Sequence, residues 1–151
     1  MTVVPCDGLE AESLSQTRQS RPRPRLKTEP IMADACTRSS MRVSVIGGGQ
    51  VTDEQAARAE AVGRELAARG HTVVCGGRGG TMAAVCRGAK AEGGTTIGIL
   101  PSERRAQAND YVDIPIATGL GHARNALVPL NGDAVIALAG GVGTLSELGI
   151  A

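Results

Sequence analysis

Three clusters of glycine, each directly following a short apolar run, constrain the fold of this chain more than any other feature. The clusters are residues 47–49, 76–80 and 140–143. A short run rich in Val and Ile that ends in glycine predicts a strand followed by a tight turn. The chain has 21 glycines in 151 residues, well above the usual share of about 7%. We therefore expect many places where the backbone comes close to other groups.

The segments around the clusters predict an alternation of strands and helices. Strands are predicted at residues 42–46, 71–75, 95–100, 112–117 and 134–138, and helices at 53–69, 81–92 and 121–131. Most of these strands are nearly continuous apolar runs, which is typical of a parallel sheet covered on both faces. We therefore predict an α/β fold, a Rossmann-like doubly wound parallel sheet of about five strands.

Four residues give local detail to this prediction. Thr52 and Gln55 fit a capping box at the start of the first helix. Gly70 fits the stop just past the end of that helix. Pro115 lacks a backbone N–H, so it predicts that the fourth strand lies at an edge of the sheet or ends early.

The chain divides by composition at about residue 40. Residues 1–40 contain the run Arg21-Pro-Arg-Pro-Arg25 and too little apolar surface to offset the entropy of ordering. We expect them to form a disordered tail. Residues 41–151 are expected to form the nucleotide-binding Rossmann domain. Because the sequence stops shortly after Glu147, inside the last predicted helix, we expect this domain to be incomplete at its C-terminus and its fifth strand to be an exposed edge.

Composition also argues against several classes of partner. Tyr111 is the only aromatic residue, so an aromatic platform for stacking nucleic-acid bases cannot form. Residues 41–151 hold ten basic and ten acidic side chains, which gives no basic stripe for a phosphate backbone. No apolar run reaches the ~18 residues of a membrane span, and no signal peptide is recognised. We therefore expect no nucleic acid, no membrane and a cytoplasmic location.

The four cysteines form no C-x-x-C pair, so we expect no metal site.

The positions of the glycine clusters indicate a phosphorylated ligand. Ligands of parallel α/β sheets bind outside the carboxyl ends of the strands, where glycine lets backbone N–H groups approach a phosphate. A nicotinamide dinucleotide is disfavoured, because the third glycine of G-x-G-x-x-G is missing and the second strand ends in Cys75-Gly76 where an acidic residue would be needed. The motifs G-x-x-x-x-G-K-[ST] and G-x-S-x-G are missing as well. A phosphate site of mononucleotide size remains.

Glu147 has two interpretations that the residues alone leave open. It lies three residues after Thr144, about one helical turn further on. It could face the sugar of the ligand, as a general base or as a stabiliser of an oxocarbenium-like centre. It could equally close a capping box with Thr144 as the N-cap. His122 lies near the same predicted edge and His71 opens a strand, and their spacing does not suit a metal ion.

Three motifs in order resemble the LONELY GUY (LOG) family, long mislabelled as lysine decarboxylases. Gly140-Gly-Val-Gly-Thr-Leu-Ser-Glu147 resembles the P-G-G-x-G-T-x-x-E motif of that family, and Gly76-Gly-Arg-Gly-Gly-Thr-Met82 resembles its second glycine loop. Arg124-Asn125 stands where the family has an Arg-Lys pair. Ala139 in place of proline and Asn125 in place of lysine make the chain more similar to the related branch of molybdenum-cofactor carriers.

The resemblance implies two functions. In the carrier branch, the loops would hold the phosphate of a pterin, the molybdenum cofactor, as a ligand without turnover, and no cofactor would be required. In LOG enzymes, the protein would hydrolyse the N-glycosidic bond of nucleoside 5′-monophosphates to base and ribose 5-phosphate, with Glu147 and Arg124 as the catalytic residues. The ligand-binding residues would be Gly48, Gly76, Gly77, Gly140, Gly141, Gly143, Thr144 and Asn125. The resemblance also implies a homodimer for the full-length form.

Overall fold

The computed structural model of the chain describes residues 40–138 and 140–150. The predicted tail therefore lies outside the described residues, apart from Ser40. The strands are β1 (Arg42–Ile46), β2 (Thr72–Cys75), β3 (Thr96–Leu100), β4 (Ile114–Ala117) and β5 (Ala134–Ala137). The α-helices are α1 (Asp53–Ala68), α2 (Thr81–Ala91), α3 (Leu127–Leu130) and α4 (Val142–Leu148). Two 3₁₀ turns cover Arg105–Gln107 and Gly121–Ala126.

The five strands form one parallel sheet in the order β4-β3-β2-β1-β5. The chain builds outward from β1 through β2 and β3 to β4, and then returns to place β5 on the other side of β1. The register of that pair aligns Val43 with Ala134. The prediction of a Rossmann-like α/β fold is confirmed. The order of strands reverses between β1 and β5, which is where such a sheet opens a crevice for ligands.

Each face of the sheet has its own apolar core, because successive side chains of a strand point to opposite faces. On one face, Val43, Val45 and Val73 pack against residues of α1 and α2. On the other face, Ile46 and Val74 pack with Val128 of α3. The prediction that the sheet is covered on both faces is therefore confirmed.

Helices α1 and α2 cross at two glycines. A Cβ on Gly63 would collide with the carbonyl oxygen of Val85, and a Cβ on Gly88 would collide with that of Glu60. Only glycine at both positions permits this distance between the two backbones. The sheet is thereby covered by a closely packed pair of helices on the face away from α3.

Local signals at the ends of the first helix are also confirmed. The Thr52 hydroxyl accepts a hydrogen bond from the Gln55 N–H at 3.3 Å. The Gln55 side chain in turn accepts one from the Thr52 N–H at 3.0 Å. Arg69 caps the C-terminal end, and Gly70 follows with φ +79°, a conformation that suits glycine.

The region after β3 departs from the prediction in two respects. The fourth strand begins at Ile114, two residues later than expected, although Pro115 does lie in an edge strand. Residues 121–131 form a 3₁₀ turn that leads into one short α-helical turn, in place of the single helix that we predicted. Pro129 fits in α3 because the first turn of a helix does not use its N–H groups. Among the described residues, no helix is both long and apolar enough to cross a membrane.

Candidate functional site

A cavity of about 300 Å³ opens at the carboxyl edge of the sheet, beside the point where the strand order reverses. Backbone of the first and third glycine clusters forms much of its wall. Its lining comprises Gly47, Gly48, Gly49, Met82, Arg124, Asn125, Gly141, Gly143, Thr144 and Glu147. The structure thus brings together seven of the ten residues that the sequence singled out.

Gly140 borders a second, outer cavity of about 490 Å³. This outer cavity shares Gly48, Gly49 and Gly141 with the first and adds Gln50 and Gln55 to the lining. A Cβ on Gly140 would collide with the Thr144 hydroxyl and lie 2.9 Å from the Gly48 nitrogen. Glycine at this position therefore lets the loop after β5 approach the loop after β1.

Gly76 and Gly77 are not part of either lining, and their contact with the ligand stays a prediction. A Cβ on Gly76 would lie 2.7 Å from the Arg124 guanidinium and 2.6 Å from the Met82 sulfur. Gly77 has φ +73° and packs against the Cα of Gly98. These two glycines leave room for Arg124 and Met82, so they shape the cavity through those neighbours.

Arg124 and Glu147 form a buried ion pair in the wall of the cavity. Nη1 of Arg124 lies 3.6 Å from Oε1 of Glu147, and their side chains are only 8% and 10% exposed. Burial raises the pKa of the Glu147 carboxyl above its ordinary value, and the charge of Arg124 partly opposes this shift. Burial likewise lowers the pKa of Arg124, against the attraction of Glu147. Nε of Arg124 has no hydrogen-bond partner among the described residues.

The start of α4 excludes one of the two interpretations of Glu147, the capping box. The helix begins at Val142 with Gly141 as its N-cap, and no side chain caps it. Thr144 is the third helical residue, and its N–H donates to the Gly141 carbonyl at 3.0 Å. Glu147 therefore lies in the second turn, beyond reach of a capping box, and its carboxylate faces Arg124 instead.

Three residues of the lining are not among the ten predicted by number: Gly47, Gly49 and Met82. The two glycines belong to the first cluster, so extending the prediction from Gly48 to its neighbours would have found them. Met82 ends the second glycine motif, but nothing in the sequence showed that α2 would direct it toward Arg124. His71 accepts a hydrogen bond from the Met41 N–H at 3.3 Å, near the opposite edge of the sheet.

Cys75 and Cys86 lie buried between β2 and α2 with their sulfurs 3.5 Å apart. Both are free thiols. The contact with Cys86 lowers the pKa of Cys75, and the same contact together with burial raises the pKa of Cys86. They belong to the apolar core between the sheet and α2 and lie outside the cavity lining.

Comparison with protein families identifies the lineage of the chain. The model of the SLOG cluster4 family matches residues 40–151. The chain belongs to this family. An uncharacterized protein of Archaeoglobus fulgidus is 44% identical over 111 residues, which cover 74% of this chain and 73% of that one. A cytokinin riboside 5′-monophosphate phosphoribohydrolase of Mycobacterium marinum is 41% identical over 93 residues, 60% of this chain. The match spans only half, 50%, of that relative's length.

Solved structures of similar fold include two proteins of molybdenum-cofactor handling. The molybdenum cofactor binding protein from Rippkaea orientalis is 42% identical with a TM-score of 0.72, over 75% of this chain and 71% of that chain. The molybdenum cofactor carrier protein from Chlamydomonas reinhardtii is 37% identical with a TM-score of 0.67, over 74% of this chain and 69% of that chain. The resemblance to the LOG superfamily and to its carrier branch is confirmed.

Proposed function

We propose that this chain binds the phosphate end of a phosphorylated pterin or nucleotide in the glycine-lined cavity and carries it without turnover. The observation that carries the proposal is the environment of Arg124. Its side chain is 8% exposed, yet its Nε has no partner among the described residues. A buried N–H left unpaired costs about 1–3 kcal/mol. Arg124 lines the cavity, so a phosphate there would supply its guanidinium group with an acceptor.

The rest of the lining suits a phosphate as well. The loop at residues 47–49 and the residues Gly141 and Gly143 present backbone to the cavity, and glycine N–H groups hydrogen-bond phosphate oxygens readily. The Thr144 hydroxyl adds a further donor. Glu147 is the single carboxylate of the lining, and its charge is engaged by Arg124.

The outer cavity supplies room for the remainder of the ligand. Its side chains Gln50 and Gln55 carry amide groups that match the donors and acceptors on the edge of a pterin or a purine. Tyr111, the only aromatic residue of the chain, lies outside both linings. The ring would therefore be held by hydrogen bonds, and the phosphate end would supply most of the affinity. The similarity to a molybdenum cofactor binding protein and to a molybdenum cofactor carrier protein supports a pterin before a nucleotide.

The test is retention of cofactor by the full chain purified from a host that makes molybdenum cofactor. Bound pterin is released, oxidised and measured by fluorescence. We expect Arg124→Gln to lower the retained pterin about tenfold, because a charge-assisted hydrogen bond contributes about 1.5–3 kcal/mol. Arg105→Gln, at an exposed residue outside both linings, is the matched control. Wild-type protein that retains no pterin and binds no nucleoside monophosphate would refute the proposal.

Phosphoribohydrolase activity is the second candidate, and one observation favours it. Burial raises the pKa of Glu147, and a carboxyl with a raised pKa beside a cation suits general acid–base chemistry at a glycosidic bond. In that reaction Glu147 would be the catalytic carboxylate, and Arg124 would hold the phosphorylated substrate beside it. The similarity to the mycobacterial phosphoribohydrolase supports this candidate.

Incubation with AMP, GMP and CMP separates the two functions. Release of free base that is lost in Glu147→Gln would establish the enzyme. Binding of these nucleotides without release of base, together with retained pterin, would establish the carrier.

We further propose that residues 41–151 act as one cytoplasmic ligand-binding domain, and that the protein assembles as a homodimer. The exposed apolar side chains Val142, Leu145 and Leu148 of α4 support an interface on that helix. Analytical ultracentrifugation of the wild type against Leu145→Lys measures the assembly. Limited proteolysis that leaves residues 41–151 as one intact fragment would support the single domain.

A further inference from the structure

A third cavity of about 270 Å³ lies at the same edge of the sheet, beside the two cavities that the proposed function uses. It shares only Arg124 and Asn125 with the glycine-lined cavity. Its other lining residues come from the loops after β2, β3 and β4, and they are Arg78, Pro101, Gly121 and His122.

Hydrogen bonds within the loops hold the walls of this third cavity in place. The Asn109 side chain donates to the carbonyl of Arg78 at 2.9 Å and to that of Gly77 at 3.2 Å. The Gly121 N–H donates to the Pro101 carbonyl at 2.9 Å. The loops after β2 and β3 and the start of the second 3₁₀ turn are therefore each tied to a neighbouring segment.

The third cavity is positively charged and lined by no carboxylate. Arg78 forms no ion pair with another described residue. Among the residues that the structure describes, the carboxylate that pairs with Arg124 is that of Glu147, which contacts Nη1 and lines the glycine-lined cavity. Burial is the main cause that lowers the pKa of Arg124, and the positive charge of Arg78 lowers it further. Two guanidinium groups thus repel each other across a cavity that offers them no counter-charge.

We propose that the third cavity is an oxyanion subsite held by Arg78 and Arg124, with His122 and Asn125 as additional polar contacts. This step rests on the proposed function. If both sites are occupied by one molecule, the ligand of this chain has two anionic ends. The phosphate monoester end lies in the glycine-lined cavity, and a second oxyanion lies between the two arginines. Arg124 lines both cavities and so contacts both ends. The second oxyanion is either another phosphate or an oxometalate, because both present several oxygens to arginine N–H donors.

The test is residue-resolved NMR on the ¹⁵N-labelled full chain, titrated at constant ionic strength with inorganic phosphate and, separately, with molybdate. The amides of Gly141 and Gly143 report on the glycine-lined cavity, and those of Gly121 and His122 report on the third cavity. We expect saturable shifts in both groups. Arg78→Ala should weaken binding at the third cavity about tenfold and leave the glycine-lined cavity unchanged. Arg78→Lys should restore part of the loss, and Arg105→Ala should change neither.

Each outcome decides the proposal. Shifts at Gly141 and Gly143 without saturable shifts at Gly121 and His122, from either anion, overturn the subsite and leave the proposed function standing. An unchanged response in Arg78→Ala overturns it as well. Shifts at Gly121 and His122 alone would support the subsite and contradict the proposed phosphate site. Tighter binding of molybdate at the third cavity assigns an oxometalate end to the ligand, and tighter binding of phosphate assigns a second phosphate.

Discussion

Glycine serves opposite purposes at the α1–α2 crossing and in the loop after β1. At the crossing, a Cβ on Gly63 or Gly88 would collide with the backbone of the other helix. In the loop, a Cβ on Gly49 would have nothing within 4 Å, although Gly49 lines two cavities. The glycines of the crossing are therefore required by the folded protein itself, whereas the space beside Gly49 is available to a ligand.

The largest expected effect is on stability, from Gly88→Ala. The new methyl group meets the backbone of Glu60 in α1, which cannot move aside as a flexible side chain would. Overpacking of this kind costs about 1–3 kcal/mol. We expect about 3 kcal/mol, the upper end of that range, because the obstacle is backbone. Urea unfolding followed by circular dichroism measures it. A variant as stable as the wild type would show that α1 and α2 do not pack at this distance.

A smaller and contrasting effect is expected from Gly49→Ala. Its methyl group meets open space, and its φ is not in the left-handed region. Stability should therefore stay within about 1 kcal/mol of the wild type. Binding of the phosphorylated ligand should weaken about tenfold, or about 1.4 kcal/mol, because the methyl group takes space at the cavity wall. Calorimetric titration with a nucleoside monophosphate and the same urea experiment give both values. A variant that lost stability but still bound the ligand would show that Gly49, like the glycines of the helix crossing, is required by the fold.

The two kinds of glycine were not equally predictable from the sequence. The loop clusters were recognised because each directly follows an apolar strand, which is a local signal. The capping box at Thr52 and the stop at Gly70 were predictable for the same reason. The role of Gly88 depends on Glu60, which lies in a different helix, so no local pattern marks it.

The same limit applies at the candidate site. Gly76 makes room for Arg124, a residue from a distant segment of the chain, and no local pattern marks that contact. The capping role left open for Glu147 depended on which residue begins α4. Gly141 and Thr144 lie close together in sequence and can each start a helix, so packing of α4 against the rest of the domain decides between them. The sequence therefore predicted which loops meet at the sheet edge better than which atoms face the cavity.

The smallest expected effect is on the pH dependence of stability. A carboxyl in the cavity wall and a carboxyl near the surface should change stability with pH in opposite directions. Burial raises the pKa of Glu147, so its contribution to stability is fully present below the unfolded pKa and is lost as pH rises through the folded pKa. The stability of the wild type relative to Glu147→Gln should therefore fall as pH rises above the ordinary glutamate pKa of about 4.3. The fall is about 1.4 kcal/mol for each unit of pKa shift.

Asp113 provides a control of opposite sign. Burial opposes ionisation of this carboxyl, but hydrogen bonds from Lys90 and Thr96 outweigh burial and lower its pKa. Its contribution is therefore present above the unfolded pKa and lost as pH falls. The stability of the wild type relative to Asp113→Asn should rise with pH over the acid range. Urea unfolding of the three proteins at a series of pH values measures both differences. A slope of the same sign for Glu147 would mean that the charge of Arg124 lowers its pKa by more than burial raises it, and a difference that does not change with pH would mean that Glu147 is solvated in the folded protein.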